Sequence, residues 1–429
     1  MVSMEKIIVL GSGVAGLSAA HHLVKKGKDV LVLEKENTYG GLCNSFSING
    51  FTFDTFAHIS FDNEETTYKM LEGNTSHWIH KPDAMNYYFG KWIKNPVQNN
   101  LWGLDVEERI KVITGYVARK KDVVIKNYGE WLKAMYGEYF AIHFPYRYTR
   151  KYWTVEPEQL ECRWVKNRMY TPSLEEVLRG AMDSDTPIVH YTKEARYPKR
   201  GGFKSFLAPM VKNVKVEYEI KIIQIDAKKK SVLLSDGREL CYDGIISTIP
   251  LIELCKMIKD VPDTIRDKAE KLNYTSGVML SMGISQKNVS PTLWFYIYDE
   301  DILPSRVYSA DIKSPYNVPE GCSGLQAEIY YSRFRPRTVP LEQLKKQIVN
   351  QLLKLGLFQE KDIIFADIKE KEYANVMFTP DIYEIRDQIH EYLKIKGIEY
   401  AGRWGEWDYL WTGQSFRSGK EAAERLLKE

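Results

Sequence analysis

A glycine pattern near the start of the chain has the spacing of a phosphate-binding turn. Gly11, Gly13 and Gly16 form a GxGxxG motif, and Glu34 follows eighteen residues after the last glycine. The glycines permit a tight turn, close approach of a pyrophosphate to the backbone, and close packing of a helix on a strand. The helix that follows offers free N–H groups to phosphate, and an acid placed like Glu34 accepts hydrogen bonds from ribose. The pattern therefore predicts a nucleotide site.

Two strands and a helix are predicted to position this motif. The runs 6–10 and 29–33 are apolar and short enough for buried strands, and residues 17–26 are rich in alanine and leucine, as in a helix. Val14 and Ala15 would lie in the phosphate turn, and Lys35 would follow the ribose acid. This βαβ order favours nucleotide binding over a purely structural glycine turn.

Composition limits the classes of function. The 429 residues predict two or three domains, and the net charge of +3 argues against a dominant nucleic-acid surface. No apolar run is long enough for a membrane span, and the five scattered cysteines are typical of a cytoplasmic protein with reduced thiols. No ligand spacing predicts a metal. The 28 tyrosines and 10 tryptophans predict a pocket lined by aromatic rings.

A second glycine pair follows the acid. Gly40 and Gly41 form a flexible turn that ends at Leu42, and the run 46–54 is predicted to be a hairpin turning at Asn49 and Gly50. The order of motif, acid, glycine pair and hairpin resembles the FAD-binding region of the flavin amine oxidase and UDP-galactopyranose mutase superfamily. This resemblance implies FAD rather than NAD, with the glycine pair lying along the flavin and its pyrophosphate.

The fold class is predicted to be α/β. Near the C-terminus, a strand followed by a glycine and a helix is expected to place a second helix N-terminus close to the flavin. Three parts are expected, which are a discontinuous Rossmann-like FAD-binding domain of the GR2 type at 1–75, 195–255 and 375–429, a mostly helical insertion at 76–194, and an antiparallel β-sheet substrate domain at 256–374. Within the insertion, helices are predicted over 105–120 and 128–140, and another after an N-cap at Thr171.

Further segments resemble the UDP-galactopyranose mutase family, and its eukaryotic-type members more than its short bacterial ones. They occur in the family's order and are 50–54 with His58, 96–100, 148–153 with Arg168, 304–306, and 402–405 with Tyr409 and Gln414. The resemblance implies an isomerase that interconverts the pyranose and furanose forms of a nucleotide diphosphate sugar. In the family, N5 of reduced FAD attacks the anomeric carbon, and there is no net redox change.

The resemblance also implies roles for individual residues. Arg168 and Arg306 would grip the diphosphate, because guanidinium forms paired hydrogen bonds with phosphate oxygens, and His58 would lie beside the flavin. These three are the catalytic candidates. The other substrate candidates are Gln98, Asn99, Trp153, Tyr296 and Tyr409. The C-terminal FAD candidates are Gly402, Arg403, Tyr409, Gln414 and Ser415.

Five pocket positions depart from the family. Asn95 stands where the family has a tyrosine, and Val97 where it has a phenylalanine. Thr149 and Gly413 fall at family asparagines, and Met377 falls near a tyrosine that contacts phosphate. These changes leave open the sugar, the base and the retention of mutase activity.

Two other classes of function share this fold. One is an FAD-dependent oxidoreductase of the amine oxidase or protoporphyrinogen oxidase type, and the other is a flavin-binding protein without catalysis. Composition alone would make Arg168 and Arg306 ordinary salt-bridge residues. Placed together with 98–100, they favour the mutase, because an oxidase needs no arginine pair facing a pyrophosphate. With no second dinucleotide fold, NAD(P)H would act only as a transient reductant at the flavin face. The oligomeric state is not predicted.

Overall fold

The computed structural model of the protein describes residues 6–120, 123–165, 168–187 and 193–428. Its strands are β1 (Lys6–Leu10), β2 (Asp29–Leu33), β3 (Ser45–Ile48), β4 (Phe51–Asp54), β5 (His77–His80), β6 (Ala84–Tyr88), β7 (Lys91–Lys94), β8 (Ala195–Pro198), β9 (Lys215–Glu217), β10 (Ile222–Asp226), β11 (Ser231–Leu234), β12 (Glu239–Cys241), β13 (Gly244–Ser247), β14 (Asn273–Ile284), β15 (Trp294–Ile297), β16 (Arg306–Ser309), β17 (Ser323–Tyr331), β18 (Ile363–Met377) and β19 (Glu399–Tyr400).

The α-helices are also numbered in chain order. They are α1 (Val14–Lys25), α2 (Glu65–Leu71), α3 (Val106–Ala118), α4 (Tyr128–Tyr136), α5 (Glu138–Ala141), α6 (Arg147–Tyr152), α7 (Leu174–Met182), α8 (Ala208–Val211), α9 (Leu251–Met257), α10 (Asp263–Lys271), α11 (Ala310–Lys313), α12 (Leu341–Leu353), α13 (Ile382–Ile395), α14 (Gly402–Gly405) and α15 (Thr412–Leu426). A π-helical turn, Ile142–Tyr146, joins α5 to α6. No helix in the described part of the chain is both long and apolar enough to cross a membrane.

A parallel sheet with the strand order β19-β13-β1-β2-β9 holds the glycine motif. The central strand β1 is paired with β2 on one side and β13 on the other, and four of its five residues are buried. Such burial is expected where helices cover both faces of a parallel sheet. The predicted α/β class, the two strands and the helix between them are confirmed, although α1 begins at Val14 rather than at residue 17 because Gly13 is its N-cap.

A second sheet, with the order β18-β14-β17-β16-β15-β6-β7, builds the substrate side. Its strands are antiparallel except for the parallel pair β15 and β6. One face packs on α12 through Leu344 and Ile348, which are fully buried with the apolar residues of β14 and β17. The other face is free to line a cavity.

The segment 76–194 differs from the mostly helical prediction in its first part. Strands β5, β6 and β7 lie there, and β6 and β7 extend the second sheet while β5 pairs with β8. The burial of β6 alternates with a period of two, which is the pattern of a strand with one face covered. Helices follow from Val106 onward, close to the predicted spans.

Two predictions concern local features, the turn between β3 and β4 and the N-terminal cap of α7. The hairpin of β3 and β4 turns at Asn49 and Gly50 as predicted, and both residues have positive φ. The predicted cap of α7 at Thr171 is wrong. Ser173 is the N-cap, because its hydroxyl accepts from the Glu176 amide while the Glu176 carboxylate accepts from the Ser173 amide.

Candidate active site

The glycine motif forms a cradle that only glycine permits at two of its positions. Gly11 has a φ of +94°, and a Cβ there would lie 2.6 Å from Thr248 Oγ1. A Cβ at Gly16 would lie 1.9 Å from the carbonyl oxygen of Gly11, so the helix could not approach the turn this closely. At Gly13, in contrast, a Cβ would meet nothing within 4 Å. The backbone at Gly13 is therefore open to a ligand.

The second glycine turn closes the other side of this cradle. The Gly40 amide donates to the Ser12 carbonyl at 2.9 Å, and Gly40 has a φ of +113°. A Cβ at Gly41 would lie 3.4 Å from Gly13 Cα, so the two turns face each other. No side chain in the described part of the chain caps α1, whose first N–H groups face this space. The open backbone and uncapped helix fit the pyrophosphate of FAD.

Glu34 lies at the end of β2, where the sequence places it, but its oxygens have protein partners. Oε2 accepts from the Ser12 amide at 2.8 Å and from the Ser12 hydroxyl at 2.7 Å, while Oε1 accepts from the Glu36 amide at 2.9 Å. The buried carboxylate thus braces the phosphate turn. A contact with ribose stays a prediction, and the neighbouring Lys35 side chain is exposed.

The C-terminal segment reaches the same place from the opposite side. Gly402 packs so closely on α1 that a Cβ there would lie 2.7 Å from the Cβ of Ala15. Gln414 Oε1 accepts from the Trp411 amide at 2.9 Å and so caps α15. The first residues of α15 line a cavity, whereas Ser415 lies one step further along the helix and does not. The predicted return of a helix N-terminus to the cofactor side is thus present.

A cavity of about 360 Å³ lies between the glycine turns and the free face of the second sheet. Seven of the residues predicted for the site line this cavity, and they are Leu42, His58, Tyr296, Arg306, Arg403, Tyr409 and Gln414. Strands β15, β16 and β17 present side chains to it in register, because Tyr296 lies opposite Arg306 and Arg306 lies opposite Glu328. The sheet therefore positions the arginine between an aromatic ring and a carboxylate.

Arg306 is paired inside this cavity. Its Nε and Nη2 both donate to Oε2 of Glu328, at 3.0 Å and 2.7 Å, and the Tyr330 hydroxyl donates to the same oxygen at 2.9 Å. Burial opposes the guanidinium charge, but the Glu328 carboxylate holds the pKa of Arg306 well above its usual range. Arg306 is thus a fixed cation whose charge is balanced by a fully buried anion.

Arg403 is a cation held by uncharged oxygens. It donates to the carbonyls of Leu410 and Ala374 and to Oδ1 of Asn375, at distances of 2.9 to 3.3 Å. Its guanidinium lies 5.3 Å from the ring of Tyr409. Among the described residues, the ion pairs do not include a carboxylate partner for Arg403. Its positive charge is therefore available to an anion in the cavity.

His58 lies on the cavity wall, with its ring centroid 5.3 Å from that of Phe203. Its Nδ1 donates to the Phe56 carbonyl at 2.7 Å, which leaves Nε2 as the unprotonated nitrogen. Burial lowers the pKa of His58 to about 4, so the ring is neutral near pH 7. A neutral imidazole can accept a hydrogen bond but adds no charge.

Four predicted substrate residues do not line the cavity. Arg168 lies behind its wall, with the guanidinium 4.6 Å from the Tyr409 ring and 4.5 Å from the Trp411 ring, and Nη2 donates to the Tyr409 carbonyl. Trp153 is buried among aromatic rings that include Trp164. Substrate contacts for both of these residues stay predictions.

Gln98 and Asn99 lie further away, in a short 3₁₀ helix packed against α7. Gln98 Nε2 donates to the Tyr170 carbonyl at 3.3 Å. The carbonyl of Asn99 packs directly on Gly180, where a Cβ would lie 1.9 Å from it. Their present partners are structural, and their binding roles also stay predictions.

The departures from the family pattern have structural consequences of their own. Val97, Thr149 and Met377 are almost completely buried and are not among the residues that line the cavity. At Gly413 the space of a side chain is taken by Asp62, because a Cβ there would lie 1.8 Å from Asp62 Oδ2. Asp62 in turn accepts from Arg417 at 2.9 Å.

Several cavity residues were not singled out from the sequence. They are Asp62, Tyr152, Trp294, Tyr308, Glu328, Tyr330, Asn375 and Arg417. A signal for some of them exists, because Arg306 with Tyr308 and Glu328 with Tyr330 are two residues apart in strands. Side chains two apart share a face, so polar pairs in otherwise apolar strands mark the cavity side of the sheet.

Three similarities to known proteins accompany this geometry. The fold matches the crystal structure of reduced UDP-galactopyranose mutase with a TM-score of 0.93 and 25% identity, over 100% of this chain and 94% of that one. Phytoene desaturase of Cercospora nicotianae is 28% identical over 294 residues, 57% of this chain, and the match spans only 45% of that protein. An uncharacterized protein of Methanothermococcus thermolithotrophicus is 39% identical over 100 residues, which are 23% of this chain and 97% of that protein.

The family assignment comes from a match along nearly the whole chain. Residues 14–427 match the model of the flavin containing amine oxidoreductase family. The matched span includes the start of α1, the glycine pair, the cavity and α15. Members of this family are flavoproteins, which agrees with a cradle that fits FAD. The chain therefore belongs to the flavin containing amine oxidoreductase family.

Proposed function

We propose that the protein is a flavin-dependent mutase that interconverts the pyranose and furanose forms of a nucleotide diphosphate sugar. The observation that carries this proposal is the polar cavity beside the FAD cradle. Arg306, Tyr296 and Tyr308 of the second sheet and Arg403 of α14 supply hydrogen-bond donors to it. Similarity over the full chain to a UDP-galactopyranose mutase structure supports the same class.

The charges of the cavity favour an anionic ligand. Arg306 is balanced by Glu328, and Arg417 is balanced by Asp62. His58 is neutral near pH 7, because burial lowers its pKa to about 4. Among the described lining residues, Arg403 then leaves one net positive charge. Charge-assisted hydrogen bonds from guanidinium to phosphate are stronger than bonds between neutral groups, so a diphosphate suits this cavity.

The chain would bind and orient the sugar nucleotide rather than supply a nucleophile. Reduced FAD, when bound, would supply the nucleophile for the anomeric carbon. Arg403 and Arg306 would hold the departing diphosphate, and the hydroxyls of Tyr296 and Tyr308 would donate to sugar or phosphate oxygens. Fixed donors aimed at a leaving group lower its barrier because they need no reorganisation during the reaction.

A second candidate is an FAD-dependent oxidoreductase acting on a hydrocarbon-like substrate. The observation that favours it is the sequence similarity to a phytoene desaturase over 57% of this chain. A carotenoid offers no acceptor for the hydroxyls of Tyr296 and Tyr308 and no anion for Arg403, and leaving a buried polar group unpaired costs about 1–3 kcal/mol. This cost makes the oxidoreductase the weaker of the two proposals.

The distinguishing experiment is a substrate panel. We would reduce the holoprotein with dithionite under nitrogen and add UDP-, GDP- and dTDP-sugars, following the sugar ring form by NMR. Ring exchange with one sugar nucleotide is the expected result. The absence of exchange with every member, together with oxygen-dependent turnover of an amine, a porphyrinogen or a polyene, would transfer the assignment to the oxidoreductase.

A further inference from the structure

Two tyrosine hydroxyls meet at one wall of the cavity. The Tyr152 hydroxyl oxygen lies 3.0 Å from the Tyr409 hydroxyl oxygen and 3.3 Å from Asn375 Oδ1. A tyrosine hydroxyl has one proton, so Tyr152 donates to Asn375 and its oxygen accepts from Tyr409. Tyr152 ends α6, whereas Tyr409 lies between α14 and α15. The bond therefore joins the helical segment to the C-terminal cofactor segment.

Packing holds this tyrosine pair in place. The Tyr152 ring lies 4.7 Å from the Tyr330 ring and 5.0 Å from the Trp153 ring, and the Tyr409 ring lies 5.8 Å from Trp153. Only 7% of the Tyr152 surface is exposed. These neighbouring rings occupy the space around the two tyrosines, so they oppose rotation of either tyrosine ring away from the other hydroxyl.

Tyr409 adjoins two arginines, one inside the cavity and one outside it. On the cavity side, the Arg306 guanidinium lies 5.9 Å from the Tyr152 ring, and the Arg403 guanidinium lies 5.3 Å from the Tyr409 ring. Arg168 lies 4.6 Å from the Tyr409 ring and does not line the cavity. Tyr409 and Trp411, whose rings both line the cavity and both lie within 5 Å of the Arg168 guanidinium, therefore stand between Arg168 and the cavity.

We propose that Tyr152 is a specificity-determining residue, because its hydrogen bond to Tyr409 keeps the cavity closed toward Arg168. This inference rests on the proposed function. A diphosphate that is to contact both Arg306 and Arg168 must part the two hydroxyls. Its phosphate oxygens can then accept from both of them, so the bond delays entry more than it weakens binding. A ligand without phosphates stays on the cavity side and leaves the pair intact.

The test measures association rates of UDP, GDP and dTDP with the oxidised holoprotein by stopped-flow flavin absorbance. Tyr152→Phe removes the bond between the hydroxyls, and we expect association of the best ligand to accelerate about 2- to 10-fold, the effect of one net hydrogen bond. Tyr409→Phe removes the same bond from the other side. The double variant should then be no faster than either single variant, because one bond cannot be lost twice.

Tyr146→Phe is the matched control. Tyr146 lies just before α6, is 4% exposed, and donates from its hydroxyl to Glu158 at 2.5 Å, outside the cavity. Its association rate should equal that of the unmodified protein. If Tyr152→Phe does not retain FAD, Tyr409→Phe against Tyr146→Phe is the deciding comparison.

Two results would overturn the inference, and they are distinguishable. If the unmodified protein binds a nucleoside diphosphate but Tyr152→Phe and Tyr409→Phe do not accelerate association, the closure is refuted and the proposed function stands. If the unmodified protein binds none of the three nucleoside diphosphates, both the closure and the proposed function are refuted.

Discussion

Arg306 and Glu328 lie directly opposite each other on neighbouring antiparallel strands, and two nitrogens of the arginine, Nε and Nη2, donate to one carboxylate oxygen. Glu328 is 1% exposed, so its charge has little access to water. The pair places a guanidinium in the cavity at a fixed position. It also makes the stability of the protein depend on both partners, because each one balances the buried charge of the other. Removal of either partner should therefore lower the free energy of unfolding.

We expect Arg306→Ala to lower the free energy of unfolding by about 3 kcal/mol or more, because it leaves the Glu328 carboxylate buried without its cation. The double variant Arg306→Ala with Glu328→Gln should recover part of this loss, since the remaining group is neutral. Urea unfolding measures both values. An Arg306→Ala protein as stable as the unmodified one would show that the carboxylate does not depend on the arginine.

The phosphate cradle predicts opposite outcomes for two neighbouring glycines. Gly16→Ala should destabilise the protein, because the new methyl group would lie 1.9 Å from the Gly11 carbonyl oxygen. Gly13→Ala should fold with an unchanged melting temperature, since nothing lies within 4 Å, but it should bind FAD more weakly. Thermal unfolding of the apoproteins and flavin titration separate the two effects. Full FAD affinity in folded Gly13→Ala would place the pyrophosphate elsewhere.

We expect Glu34→Ala to purify with less FAD than the unmodified protein. The substitution removes two hydrogen bonds to Ser12 that brace the turn, and bonds to a charged acceptor contribute about 1.5–3 kcal/mol each. Lys35→Ala is the control, because that side chain is exposed on the next residue. Equal flavin occupancy in both variants would remove Glu34 from cofactor binding.

His58 predicts a loss of stability in acid. Burial lowers its pKa from 6.5 to about 4 in the folded state, so the unfolded chain takes up the proton first as the pH falls. Stability from this group is complete above pH 6.5 and declines by about 3 kcal/mol as the pH falls to 4. His58→Gln should lose correspondingly less stability than the unmodified protein between pH 7 and pH 4 in urea unfolding. Parallel losses would mean that His58 titrates normally.

The sequence predicts the parts of this protein that local rules control. The GxGxxG turn, the strands around it and the hairpin at Asn49 and Gly50 follow from spacing and residue type, and each is confirmed. The strands β6 and β7 form a local hairpin within a segment predicted to be mostly helical, whereas β15, the strand that joins this hairpin to the second sheet through β6, lies more than 200 residues later. No local rule reports such a pairing.

The site was predictable only in part, because contacts between distant segments also decide which residues face the cavity. Arg306 and Tyr296 are found at the cavity, but the ion pair between Arg306 and the buried Glu328 becomes evident only from the pairing of β16 with β17. Arg168 has the expected residue type, whereas its position behind Tyr409 depends on how the C-terminal loop packs. Pairing between distant segments therefore decides which predicted residues face the ligand.

The central claim is isomerisation without net electron transfer, and one measurement tests it most directly. With the sugar nucleotide that responds in the panel, ring exchange is followed by NMR in matched samples of reduced and oxidised holoprotein under nitrogen, while flavin absorbance reports the redox state. We predict many turnovers in the reduced sample with the flavin still reduced, and none in the oxidised sample. Equal exchange in both samples, or product formed only in step with flavin oxidation, would contradict the account.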